Sequence, residues 1–194
     1  MEAADALPTL PDYLAPGLDL VLVGINPSVY SVERGHYFAR PTNRFWEVFS
    51  RSRLSAPIRL ATALTRLGPE HDALLPRFGI GLTDLVKRPS PGAGTLAEED
   101  YRIWAPRLLQ RLEAARPRVV CFHGPTAYRP FCRYALGETV RHLALGPQPL
   151  TLGSSRLFVV PNPSAANARF GLAALVAWYD QLADFVQQTL SSTP

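Results

Sequence analysis

The chain has 194 residues, the size of one domain, and 47% of them are hydrophobic, enough to bury a core. A formal charge of +4 and a pI near 9.4 lean toward polyanionic partners, although Lys87 is the only lysine and an arginine bias can equally reflect base composition. Two cysteines, Cys121 and Cys132, are too few for a four-thiolate iron–sulfur cluster; no Cys/His spacing suggests zinc, and no run of about 18 apolar residues could span a membrane.

Residues 1–17 are rich in Pro and Ala and lack the basic and apolar regions of a signal peptide, so they read as a surface arm. A single domain is expected over 18–190, in a cytoplasmic protein with reduced thiols. The run LDLVLVG (18–24) reads as a buried strand. It breaks abruptly into Gly-Ile-Asn-Pro-Ser, and packing alone gives no reason for that asparagine. TNRFWEVFSRS (42–52) places Phe45, Trp46 and Phe49 at helical spacing, and two further helical pieces follow over 56–67 and 69–79. FGIGLTDLV (78–86) returns to strand composition, and KRPSPGAG (87–94) is a loop.

Thr95 with Glu98 reads as a capping box opening a helix to about Ala115, with Trp104, Leu108, Leu109 and Leu112 on its apolar face. RVVCFHG (118–124) is a third strand, and PTAYRPFCRYAL a helix with Pro125 in its first turn. A turn at 153–155 leads into a fourth strand at 157–160, and an amphipathic helix covers 172–190. Strands alternating with helices, and apolar without alternation, imply a three-layer α/β fold. Its mainly parallel sheet of four to five strands would be flanked by helices. Ligands of such sheets bind at the carboxyl ends of the strands. GINPS, TDLVKR and PNPSAANARF all fall there.

Taken together, GINPS (24–28), the Phe of GHYFARP (35–41), NRFW (43–46), GLTDLVKRPS (81–90) and VPNPSAANARF (160–170) resemble the mismatch-specific uracil/thymine-DNA glycosylases of the uracil-DNA glycosylase superfamily. The similarity runs in order from about residue 13 to 187. It implies a uracil-DNA glycosylase-like domain that flips a base out of duplex DNA and cuts its bond to deoxyribose, starting base excision repair. The implied partner is double-stranded DNA containing uracil or mismatched bases, notably G·U. A monomer is expected, and no cofactor or metal is indicated.

Within that resemblance Asn26 matches the asparagine that orients the attacking water, a job an amide can do without a charge change, because the departing sugar is itself cationic. Phe38 matches the aromatic that stacks on the extruded base, with Tyr37 as the alternative if the loop is shifted. Ile25, Ser28, Ser31 and Asn162 complete the expected base-binding set. Ser28 stands where relatives often have Gly, which bears on acceptance of thymine. Asp84 departs from the Lys or Asn usual in the family. It reads either as a general base toward the water or as a turn-capping aspartate. Arg40, Arg44, Lys87 and Arg88 form a set able to neutralise phosphates. Ser164, Ala165, Ala166, Asn167 and Arg169 belong to a wedge loop that lacks the usual Leu or Arg near its tip, with Arg169 as a partial substitute. His36 and His123 read as structural. Lys87 is not placed as a Schiff-base nucleophile, so no strand cleavage is expected. A catalytically silent binder of DNA or nucleotides on the same scaffold is the competing class. A Rossmann-type enzyme lacks its G-x-G-x-x-G here.

Overall fold

The computed structural model describes residues 8–192. Five strands form one sheet: β1 (Leu20–Gly24), β2 (Ile80–Asp84), β3 (Val119–His123), β4 (Gly146–Leu152) and β5 (Ser155–Val160), in the order β2-β1-β3-β5-β4. The first four in that order run parallel, and β4 is an antiparallel edge. The helices are α1 (Val29–Arg34), α2 (Phe45–Arg51), α3 (Ala56–Thr62), α4 (Glu98–Ala115), α5 (Pro125–Phe131) and α6 (Leu172–Ser191). Alternate strand residues feed two cores, because successive side chains leave a strand on opposite faces. Leu20, Leu22, Cys121, Phe158 and Val160 pack with α2, α3 and α6. Val21, Val23, Val120, Phe122 and Val159 pack with α4 and α5. This is the three-layer α/β fold expected, with β1 and β3 flanking the topological switch point.

Several local expectations need correction. Residues 10–13 are no loose arm: Leu10 is buried, and Tyr13 exchanges backbone hydrogen bonds with Leu82 at 2.9 and 3.1 Å. The expectations for residues 1–7 lie outside the described residues. Thr95 and Glu98 do not form the cap of α4. Asp100 accepts from the Ala97 N–H at 2.8 Å, while Thr95 turns back to the Gly92 carbonyl. The edge strand β4 escaped notice because Pro147 and Pro149 disguise it, and only edge strands tolerate such residues. Among the described residues no helix is long and apolar enough to cross a membrane.

Candidate active site

All four parallel strands point their carboxyl ends at one edge, so the segments that follow β1, β2, β3 and β5 meet there. Gly24 pairs with Asp84 in register. The chains continue side by side beyond the strands: Leu85 N–H bonds Gly24 O, Val86 N–H bonds Ile25 O, and Ser90 N–H bonds Pro27 O. The GINPS and KRPS loops are thus zipped together, which delivers Asn26, Asp84 and Ser90 to one place. The resulting cleft holds about 160 Å³ and is lined by Ile25, Asn26, Ser28, Phe38, Arg40, Asn43, Asp84, Ser90, His123, Asn162 and Ser164, among others. That is below the roughly 300 Å³ low end of drug-sized pockets, so it suits a single flat ring.

Asn26 is held in one orientation. Its Nδ2 donates to Ser90 Oγ (2.8 Å), the Pro27 carbonyl (3.1 Å) and the Arg88 carbonyl (3.2 Å). Three acceptors around one atom identify it as the amide nitrogen. The carbonyl Oδ1 has no partner among the described residues, and it belongs to a half-buried side chain lining the cleft. It is free to accept a hydrogen from water.

Asp84 is buried, and its Oδ2 has no hydrogen-bond partner. Burial pushes its carboxyl up to about 7. Lys87 and Arg111 pull it down, and Asp12 adds to the rise. The cations are fixed just behind it. Lys87 Nζ lies 2.9 Å from Asp12 Oδ1 and 3.1 Å from the Tyr37 hydroxyl. Arg111 bonds Asp12 at 2.6 Å, the Thr83 hydroxyl at 3.0 Å and the Asp84 carbonyl at 3.2 Å. Burial pushes the Asp12 carboxyl up, but Lys87, Arg111 and the hydrogen bonds outweigh it and leave it below the ordinary range. Gly24 leaves room for this group, because a Cβ there would collide with Asp84 Oδ1 and force the carboxylate to move.

Phe38 carries φ +55°, an unusual value for a bulky residue. The surrounding bonds enforce it. Tyr37 N–H donates to the buried Asp72 at 2.9 Å, Ala39 N–H to Ser31 Oγ at 3.2 Å, and Trp46 Nε1 to the Tyr37 carbonyl at 2.9 Å. The Phe38 ring stacks on Phe45 at 4.1 Å and meets His123 edge-on at 5.4 Å. Tyr37, the alternative stacking residue, is fully buried and does not line the cleft. Backbone strain maintained at a cleft is a mark of function.

Other expected site residues lie elsewhere. Ser31 is buried away from the cleft, with its hydroxyl engaged by Ser28 (3.0 Å) and the Ala39 N–H. Lys87 is 6% exposed and tied to Asp12, so its ammonium is out of reach of a phosphate. Arg88 forms a two-pronged pair with Asp100 at 2.7 and 2.6 Å. Arg44 turns inward onto backbone carbonyls. Of the four basic residues, Arg40 alone is exposed at the cleft without an ion-pair partner among the described residues. Ala165, Ala166 and Arg169 are exposed, as a wedge tip requires, while Asn167 Nδ2 is bound to the Asn162 carbonyl at 2.9 Å. Asn162 faces the cleft, and its Oδ1 accepts from the Ser164 N–H at 2.9 Å.

Sequence reading missed Asn43 and Ser90 and treated His123 as structural only. His123 does form part of the core, bonding Tyr179 at 2.8 Å, but it also lines the cleft. Its Nδ1 is buried without a partner, and burial pulls the imidazole down to about 3, so the ring is neutral. Its place at the end of β3 was the available signal, equivalent to that of Asp84 on β2.

A family model described as the uracil DNA glycosylase superfamily matches residues 11–183. Among solved structures, the chain is similar to the solution NMR structure of a protein from Methanosarcina acetivorans provisionally assigned as a uracil DNA glycosylase. The two share 21% identity with a TM-score of 0.54, over 92% of this chain and 97% of the other. That likeness shows the α/β fold.

Proposed function

Because this chain belongs to the uracil DNA glycosylase superfamily, we propose that it is a monofunctional, mismatch-directed DNA glycosylase that releases uracil from duplex DNA, notably from G·U pairs. The observation that carries this reading is the pairing of a fixed, unpartnered Asn26 carbonyl with the buried Asp84 carboxyl in one ring-sized cleft. A base swung out of the helix would lie against Phe38. The bond between C1′ and the base then breaks, with its electron pair leaving on the base, and the sugar becomes cationic. Water held by Asn26 Oδ1 adds to C1′, and its proton passes to ionised Asp84. The buried carboxylate also stabilises the cationic sugar while it lasts. The departed base anion takes a proton from solvent and protonated Asp84 returns one to it, so the products are a free base and an abasic site. The only lysine is buried in an ion pair, so no lysine stands ready to form a Schiff base and cut the strand.

The test is incubation with duplexes carrying one uracil opposite each of the four bases, followed by alkali. Breaks at uracil, most frequent opposite guanine, are the expected result. Folded protein that binds these duplexes and leaves them unbroken would be a silent binder.

The charges behind Asp84 give a sharper prediction. If ionised Asp84 is the base, activity falls as pH drops below about 7. Asp12→Asn removes a negative charge that raises the Asp84 pKa, so this acidic limb should move to lower pH. Lys87→Met removes a positive charge that lowers it, so the limb should move to higher pH. Rate profiles between pH 5 and 9 decide the matter: two shifts of the same sign would disprove the electrostatic role.

A further inference from the structure

Arg44 stands in the NRFW run, beside the cleft, where an arginine reads naturally as a phosphate contact. Its guanidinium is instead wrapped by backbone. Nε donates to the Pro163 carbonyl at 3.2 Å, Nη1 to Phe170 at 2.6 Å, and Nη2 to Ser164 at 3.0 Å and Asn167 at 2.8 Å. The Arg44 backbone N–H also donates to Pro163 O at 3.2 Å. One residue therefore bonds four carbonyls in an eight-residue stretch between β5 and α6. That stretch has no helix or strand of its own and carries the exposed tip at Ala165 and Ala166.

Holding a free loop in one conformation costs backbone entropy at every residue. The loop's own bonds, from Ser164 and Asn167 to Asn162 and from Ala166 and Asn167 to Ser164, all lie within 162–167, so Arg44 supplies the tie at Phe170 and joins the loop to another element. A planar fork with five N–H donors can span several carbonyls at once, which a point-like ammonium cannot. No carboxylate pairs with Arg44 among the described residues, so its charge is met by carbonyl dipoles alone.

We propose that Arg44 is a positioning residue that pre-forms the 163–170 loop as a rigid wedge for duplex DNA. It serves the opening of a base pair and not the chemistry of a base already extruded. The inference rests on the glycosylase reading for its purpose, but not for its geometry. Two measurements separate the two. In the first, uracil release is compared on a G·U duplex and on a duplex with uracil opposite an abasic site, where extrusion is cheap. Arg44→Ala should lose about 10-fold or more on the first, as a misplaced positioning element does, and under 3-fold on the second. Arg44→Lys should fail to restore the loss. Rescue by lysine would show a phosphate contact, and equal losses on both duplexes would place Arg44 in the chemistry; either result overturns the proposal. In the second measurement, limited trypsin digestion with mass analysis follows cleavage after Arg169. It should quicken several-fold in both variants at unchanged overall helicity, and an unchanged cleavage rate overturns the proposal without any reference to activity. If the unaltered protein releases no base from either duplex while digestion quickens as expected, the glycosylase reading fails and the loop pin stands.

Discussion

Asn26→Ala should reduce uracil release by about 100-fold or more while leaving duplex binding within a few-fold of the unaltered protein. The reasoning is geometric. The amide spends its nitrogen on Ser90, Pro27 and Arg88, and that triple anchor is what aims Oδ1. Alanine leaves the water without its guide. It also leaves the Ser90 hydroxyl and two carbonyls short of a donor, a stability cost of about 1–3 kcal/mol. Asn26→Asp is the more searching variant. It keeps an oxygen at the Oδ1 position but puts a second carboxylate oxygen against two carbonyls. The side chain must then rotate or take up a proton, and activity should fall as far as in the alanine variant. Single-turnover rates on a G·U duplex, with binding followed separately, give the answer. Full activity in either variant would remove Asn26 from the mechanism.

Asp84→Asn should produce two opposite effects, and their combination is diagnostic. The rate should fall by about 10²–10⁴-fold, the usual contribution of a general base, and the residual activity should lose its acidic limb. Stability should move the other way. The folded-state pKa of Asp84 is about 7, above its ordinary value of 3.8, so between these limits the folded protein holds more protons than the unfolded chain. The unaltered protein therefore loses stability as pH rises from about 4 to about 7. The neutral asparagine has no such slope. At pH 8 the variant should gain on the unaltered protein, relative to pH 4, by at most on the order of 4 kcal/mol; whatever a buried amide forfeits in hydrogen bonds is the same at both pH values and cancels from this difference. Thermal melts at the two pH values measure this. A variant with an unchanged rate, or with the same pH dependence of Tm as the parent, would show that Asp84 is not a buried, titrating base.

A buried, unpartnered carboxylate that lowers stability at neutral pH is difficult to explain as packing. A capping aspartate would accept backbone N–H bonds, as Asp100 does from Ala97 and Asp72 does from Tyr37 and Ala73. Asp84 accepts none, and its Oδ2 is sealed from solvent. The two readings that its position left open at the level of sequence are thus separated by its surroundings. A turn cap does not describe Asp84, and its unpartnered place in the cleft supports the role proposed for it above.

The sequence by itself determined the layer order and the place of the cleft. Apolar runs of strand length alternating with helical spacing allow few arrangements, and polar residues directly after such runs must gather at one sheet edge. Asn26, Asp84 and Asn162 stand at or directly beyond the ends of such runs and were placed at the cleft for that reason, whereas Phe38, well past β1, was singled out by the family resemblance alone. What the tertiary structure alone decided was the fate of the charges. Lys87 is drawn to an aspartate 75 residues away and Arg44 to carbonyls 119–126 residues away, while Arg88 finds its partner after 12. A long cation goes to whatever acceptor the fold brings within its reach. Likewise the ionisation of Asp84 comes from the water excluded around it, which no stretch of neighbouring residues encodes.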